Sequence, residues 1–300
     1  MHMPFQSGNN RNFCLVPRYE SQPYAIIGAP VDCATTFRSG ARHGPNAIRD
    51  ASMMLTDGVC EAYPVDITRH TGDAGDMPLP SGYTERMVET VKESVLGLGG
   101  SHVIMLGGDH SVTYGALAAH RSRPGSAPLP LVHFDAHCDT WQDHFGTPFG
   151  HGNWLRRAVD EGLVDASRTI SIGVRSPADT ASRNFLVAKG GTTLSARSAM
   201  RHSPKMMSDV ILSKVGGSPC YLSIDIDCLD PAHAPGTGTP EIGGLTTIWL
   251  LEVLENLGRV NWMGMDCVEV APAYDHSQIT ALAAATIVWQ YLSMNIHKAR

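Results

Sequence analysis

The 300-residue chain has seven cysteines and no Cys-x-x-Cys pair among them. An odd number of scattered thiols argues against a disulfide framework and for a reducing, cytoplasmic setting. Residues 1–20 hold no apolar signal-peptide core, so no export signal is expected. No apolar run reaches the roughly 20 residues of a membrane span. The longest, 279–294, is interrupted by Thr280, Thr286 and Gln290 and reads as a buried helix. Basic residues are a minority, 23 against 29 acidic, which gives no reason to expect nucleic acid or an anionic membrane as partner. Linkers, internal repeats and low-complexity segments are also missing. One domain is therefore expected over 24–300, preceded by a poorly regular arm over 1–23.

What is there is an alternation of apolar runs with helical periodicities. Strands are expected at 24–28, 103–106, 131–139, 169–175, 192–194, 221–229 and 262–270. Helices are expected at 45–54, 84–98 with Thr84 as cap, 111–120, 154–161, 180–189, 203–215, 246–257 and 277–296. The stretch 59–82, rich in Pro, Gly and Asp, reads as irregular chain with one short strand near 65–67. Such alternation implies βαβ units: a mostly parallel sheet with helices on both faces, an α/β sandwich of three layers. Ligands of such sheets bind at the carboxyl ends of the strands.

Those ends are where the chemistry collects. The run Leu131-Val132-His133-Phe134 leads into Asp135-Ala136-His137-Cys138-Asp139. Side chains two apart share a face of a strand. If the extended backbone persists, Asp135, His137 and Asp139 converge while Cys138 turns away into the packing. Tyr221-Leu222-Ser223-Ile224 likewise leads to Asp225 and Asp227, and Val103-Ile104-Met105-Leu106 to Gly107-Gly108-Asp109-His110. Acids at the end of an apolar strand are costly to bury without a cation. Two imidazoles and four carboxylates are too many for one ion and suit two ions with bridging carboxylates.

Three of these segments, in order, resemble the signatures of the ureohydrolases, the family of arginase and agmatinase: Gly-Gly-Asp-His-Ser at 107–111, Asp-Ala-His-Cys-Asp at 135–139 and Ser-Ile-Asp-Ile-Asp-Cys-Leu-Asp-Pro at 223–231. Pro235-Gly236-Thr237-Gly238-Thr239-Pro240-Glu241 and Glu269-Val270-Ala271-Pro272-Ala273-Tyr274-Asp275 look agmatinase-like in particular. The resemblance implies an arginase-like α/β/α fold assembled as a homo-oligomer, a trimer or hexamer. It also implies two divalent cations, Mn²⁺ foremost, with Ni²⁺, Co²⁺ or Fe²⁺ compatible with the histidines. Their ligands would be His110, Asp135, His137, Asp139, Asp225 and Asp227. The reaction would be hydrolysis of a guanidino compound to urea and an amine, by a water that the cations make acidic. Asp139 would accept a hydrogen bond from that water, His151 would pass a proton to the departing nitrogen, and Glu269 would pair with the guanidinium.

The tail of the substrate is read less directly. Arginase-like members carry an Asn/Ser-rich loop after the second signature, and residues 140–149 lack it, which disfavours arginine. Agmatine is the leading substrate, with Asp143 as reader of its amine. A guanidino acid such as guanidinobutyrate or guanidinopropionate would instead need His144, Arg156 or Arg175. Trp141, Phe145, Phe149 and Trp154 would suit an alkylguanidine, and Trp154 stands where relatives carry a different residue. An alternative of another class is a non-catalytic subunit supporting a related hydrolase in a hetero-oligomer.

Overall fold

The computed structural model describes residues 11–56, 58–80 and 83–299; the first ten residues of the expected arm, and Arg300 at the far end, lie outside them. Continuous apolar runs become strands here because each can bury both faces. In Tyr24–Ala29 (β1), Ala25 and Ile27 pack to one side and Ile26 to the other. The same split holds for His102–Gly107 (β3), with Val103 and Met105 opposite Ile104 and Leu106. Leu129–Phe134 (β4) sends Leu131 one way and Val132 and Phe134 the other. With Thr71–Asp76 (β2), Val164–Gly173 (β5), Thr192–Ser195 (β6), Cys220–Asp225 (β7) and Trp262–Val268 (β8), they form one sheet in the order β2-β1-β3-β8-β7-β4-β5-β6. Every pairing in it is parallel. Strands buried on both faces by crossover helices are what a parallel sheet requires.

The helices divide between the two faces. Thr84–Gly97 (α2), Val112–Arg121 (α3) and Trp154–Asp160 (α4) cover one core. Gly44–Ala51 (α1), Pro204–Val215 (α7), Thr247–Glu255 (α8) and Ile279–Lys298 (α9) cover the other. Thr180–Ala188 (α5) and the four-residue Ala196–Ala199 (α6) flank β6. The result is the three-layer α/β/α sandwich that the alternation predicts. Caps follow the sequence closely. Asp179, Ser203 and Thr246 accept the backbone N–H of Ser182, Met206 and Trp249 at the heads of α5, α7 and α8, satisfying donors that a helix start leaves open. Helix α9 is long and apolar enough to cross a membrane by composition, but Ile287, Val288, Tyr291 and Leu292 are buried in the core against α1 and α8, as the interrupted run predicts.

Three expectations need correction. Residues 65–67 form no strand; Ile67–Arg69 is a 3-10 turn, and the strand of this region is β2, Thr-Gly-Asp-Ala-Gly-Asp. Its poor intrinsic preference is overridden by pairing with β1 and by Arg49, which holds Asp73 and Asp76 in the interior. Thr84 is not a cap: Tyr83 occupies that position and the Thr84 hydroxyl faces Glu85. The described part of the arm holds one 3-10 turn, Phe13–Leu15, and is tied down, since Phe13 and Cys14 are buried and their backbone N–H groups donate to Asp73 and Ser52. Finally, extended backbone does not persist to Asp139. Strand β4 ends at Phe134 and Asp139 takes a left-handed φ of 52°, so turns rather than strand alternation bring the acids together.

Candidate metal centre and active site

Strands β3, β8, β7 and β4 are consecutive neighbours in the middle of the sheet, and each ends in part of one site. Beyond β3, Gly108 passes so close to Val31 that a Cβ would overlap its backbone, which lets the turn carry His110 over the sheet edge. His110 Nδ1 lies 3.1 Å from Asp135 Oδ2, 3.1 Å from Asp139 Oδ2 and 3.2 Å from Asp225 Oδ2. On the far side of the same centre, His137 Nδ1 lies 3.0 Å from Asp227 Oδ2 and 3.4 Å from Asp135 Oδ1. All six expected ligands are therefore brought together, and all but His137 are buried. The donor atoms form two overlapping groups. One holds His110, His133, Asp135 and Asp139, the other Asp135, His137 and Asp227, and Asp135 is shared.

The arrangement fits a pair of divalent cations. Three carboxylate oxygens converge on His110 Nδ1, yet none meets it with hydrogen-bond geometry. Burial disfavours a charged imidazole, but the surrounding aspartates prevail and hold His110 and His137 well above the usual histidine range. Asp225 is pushed well above the carboxylate range, first by burial and then by Asp227 and Asp135. A cluster that recruits protons in this way is one that cations would neutralise. The ligands are also braced from behind. His110 Nε2 meets Ser223 Oγ at 2.8 Å, and Ser223 donates to the buried Asp266. His133 bridges Asp135 Oδ2 and Ser171 Oγ, each at 2.8 Å. His133 was legible in the sequence, two residues before Asp135 and so on its face of β4, but the reading centred on acids passed over it.

Glu269, just past β8, also has left-handed backbone, φ 63°. Strain at two site residues is where a fold places it when position matters more than local comfort. Glu269 Oε1 accepts the His110 N–H at 2.9 Å and meets His151 Nδ1 at 3.0 Å, while its buried Oε2 finds no partner among the described residues. Burial works against a charged His151, but Glu269 outweighs it and raises the imidazole to about 8. His151 Nε2 meets Thr36 Oγ1 at 2.9 Å. Gly150 and Gly152 flank His151 because the His144 ring fills the space their Cβ atoms would take.

Above the centre opens a cavity of about 520 Å³. Of the aromatic residues expected there, Trp141 and Phe145 line it, as does Asp143 at the rim; Phe149 and Trp154 do not. Phe149 packs on Tyr114 and beneath Arg157. Trp154 is fully buried under the ligands, its ring centroid 4.7 Å from that of His110 and its indole N–H donated to Asp139 Oδ2 at 2.6 Å. Its place in a substrate wall is thus revised. Glu269 lies next to the wall, against His151, which does line the cavity. The loops add Thr36, Phe37, Ser176, Thr239 and Glu241, which no strand-end motif signals.

Comparison with known proteins places the chain in a family. The Arginase family model matches residues 22–293. The agmatinase of Chromobacterium violaceum is 40% identical over 289 residues, covering 93% of this chain and 85% of that protein. The crystal structure of a hypothetical agmatinase from Burkholderia thailandensis superposes with a TM-score of 0.87 at 38% identity, over 97% of this chain and 94% of that one. The proclavaminate amidino hydrolase of Streptomyces clavuligerus gives 0.87 at 34%, over 98% and 99%. The chain belongs to the arginase family, as an agmatinase-like, metal-dependent hydrolase.

Proposed function

We propose that this protein hydrolyses agmatine to urea and putrescine. The observation that carries the substrate is the charge of the cavity wall beyond the proposed metal ligands: Asp143 and Glu241 line it, and among the described residues neither Arg nor Lys does. A guanidino acid would need a cation there. Arg175 is occupied with the backbone carbonyls of Gly173, Asp227, Cys228, Leu229, Glu241 and Ile242. Arg156 stacks over Phe185 and donates to the Thr140 carbonyl. His144 does line the wall, but burial and then His151 push it down to about 4, so it is neutral at pH 7. An acidic wall suits a substrate with a cation at each end.

His110, Asp135, His137, Asp139, Asp225 and Asp227 would hold two divalent ions. The oxygen-rich donor set favours Mn²⁺, with Ni²⁺, Co²⁺ or Fe²⁺ admitted by the imidazoles. Such ions acidify water and polarise the guanidinium carbon. Asp139 accepts a hydrogen bond from the attacking water. Glu269 offers its unpartnered Oε2 to the guanidinium, a donor that would satisfy a buried acceptor otherwise left bare. His151, held between Glu269 and Thr36, delivers the proton that the departing amine needs, because an amide anion cannot leave. Asp143, at the rim, reads the distal ammonium. The exposed Phe37, Phe145, Ile242 and Ile248 support association of copies into a trimer or hexamer. Cysteines that are unpaired, and except for Cys33 buried, suit a reducing cytoplasm.

The test is urea release by Mn²⁺- and Ni²⁺-loaded protein from agmatine, arginine, guanidinobutyrate, guanidinopropionate, guanidine and N-alkylguanidines. Preference for agmatine is expected. Preference for an alkylguanidine would transfer the wall to Phe37, Trp141 and Phe145, and silence on all six would make the chain a supporting subunit.

A further inference from the structure

We propose that the first turn of α4 is a two-point clamp on Asp139, with Trp154 as a positioning residue that fixes which carboxylate oxygen faces the cations. This rests on reading Asp139 as a metal ligand. The main chain of Asp139 is held by the Arg156 N–H, which donates to its carbonyl at 3.3 Å. Its side chain is held by the Trp154 indole N–H, 2.6 Å from Oδ2. Both donors sit two residues apart at the start of one helix.

Asp139 has reason to need holding. Its φ of 52° is one that residues with a side chain seldom adopt. A short acid after a strand end, left to itself, would relax out of that conformation and carry its carboxylate away from His110. The indole prevents this in a particular way. The oxygen it engages, Oδ2, is also the one 3.1 Å from His110 Nδ1, so that oxygen is pinned at the ligand centre. The other oxygen, Oδ1, makes no hydrogen bond among the described residues, and Asp139 lines the cavity. The carboxylate thus presents one anchored and one free oxygen, the division of labour needed by a group that both binds a cation and orients water.

The indole is itself immobile. Trp154 is fully buried, its ring lies against His110, and it meets His133 edge-on with centroids 5.4 Å apart at 89°. One side chain therefore touches a proposed ligand by hydrogen bond, a second by ring contact and, through His133, the partner of a third, Asp135. Buried indole N–H groups usually find an acceptor; here the acceptor is one that a water cannot replace without loosening the centre.

The decisive experiment separates the N–H from the ring. Incorporation of benzothienylalanine at position 154 replaces the indole N–H by sulfur and keeps the shape. Trp154→Phe removes part of the ring as well. Metal dissociation constants are measured for Mn²⁺ by chelator competition, without substrate. Thermal melts of the metal-free proteins confirm folding, and kcat and KM are then taken at saturating Mn²⁺. Both variants are expected to bind Mn²⁺ roughly 10–100-fold more weakly, with KM for the guanidino substrate unchanged once metal is saturating. If Trp154→Phe fails to fold, the benzothienylalanine protein decides. Unaltered Mn²⁺ affinity in that protein overturns the clamp. A raised KM with unaltered affinity also overturns it and returns Trp154 to the substrate. Because affinity is read without substrate, the clamp stands or falls independently of whether agmatine is the compound turned over.

Discussion

Single side chains separate the parts of the proposed chemistry. Asp227 holds only the His137 side of the centre, accepting the Ala136 N–H through its other oxygen. Asp227→Ala should therefore lose bound metal and activity together, read by metal content and urea release; full activity would sink the ligand assignment. Glu269 touches the centre only through the His110 backbone and His151. Glu269→Gln should keep its metal and lower kcat by about 100-fold or more, the scale of removing a charged transition-state contact. His151→Asn should lower kcat by about 10²-fold with KM little changed, since a proton donor acts on the chemical step. The acids at strand ends were legible in the sequence because a carboxylate after an apolar run has no cheap structural explanation. Thr36 was not, because nothing in its neighbours says that a cavity lies beside it.

At the scale of elements, the edge strand β2 carries the clearest dependence on a distant residue. Arg49 on α1 pairs with Asp73 at 2.8 Å and also with Asp76, its side chain 4% exposed. Asp73 in turn accepts the Phe13 N–H, tying down the described part of the arm. Arg49→Ala would leave two buried carboxylates without their cation. It should destabilise the protein by about 3–5 kcal/mol, measured by urea unfolding. An unchanged midpoint would mean that β2 is held by backbone pairing alone. Helices were placed within a few residues by periodicity, as at 203–215 and 246–257 against Pro204–Val215 and Thr247–Glu255. Strand β2 was not, because its Gly and Asp residues read as loop and only the α1 guanidinium makes them tolerable inside.

For the molecule as a whole, two buried charge problems give stability a dependence on pH. His120 is 2% exposed, neither ring nitrogen has a partner among the described residues, and burial pushes it down to about 4. An imidazole whose folded pKa lies below its unfolded value of about 6.5 contributes stability above that value, lost as pH falls toward 4. Wild type should therefore lose on the order of 2 kcal/mol more than His120→Leu between pH 7 and 4.5, read from paired urea melts; parallel losses would remove His120 from the acid limb. The metal centre runs the other way. The raised pKa of Asp225 means that, without cations, its contribution is present in acid and lost as pH rises through the folded value. Divalent ions should accordingly raise Tm more at pH 8 than at pH 5.5, because protons compete for the ligands at the lower pH. An equal shift at both would contradict the carboxylate cluster as their site.

The sequence by itself determined the fold class, since alternation of apolar runs and helical periods leaves few ways to bury both. It also pointed to six candidate ligands, since metal-binding side chains at three strand ends admit few other readings. Tertiary structure alone decided which strands stand side by side. The chain reaches β8 and β7 last but places them between β3 and β4, and only that order makes the four strand ends a single centre. It decided too that Trp154 lies beneath the ligands while Arg156 and Arg175 turn away from the cavity. The direction of a side chain leaving a loop or a short helix depends on what packs behind it, and a sequence read from its local patterns carries no record of that neighbour.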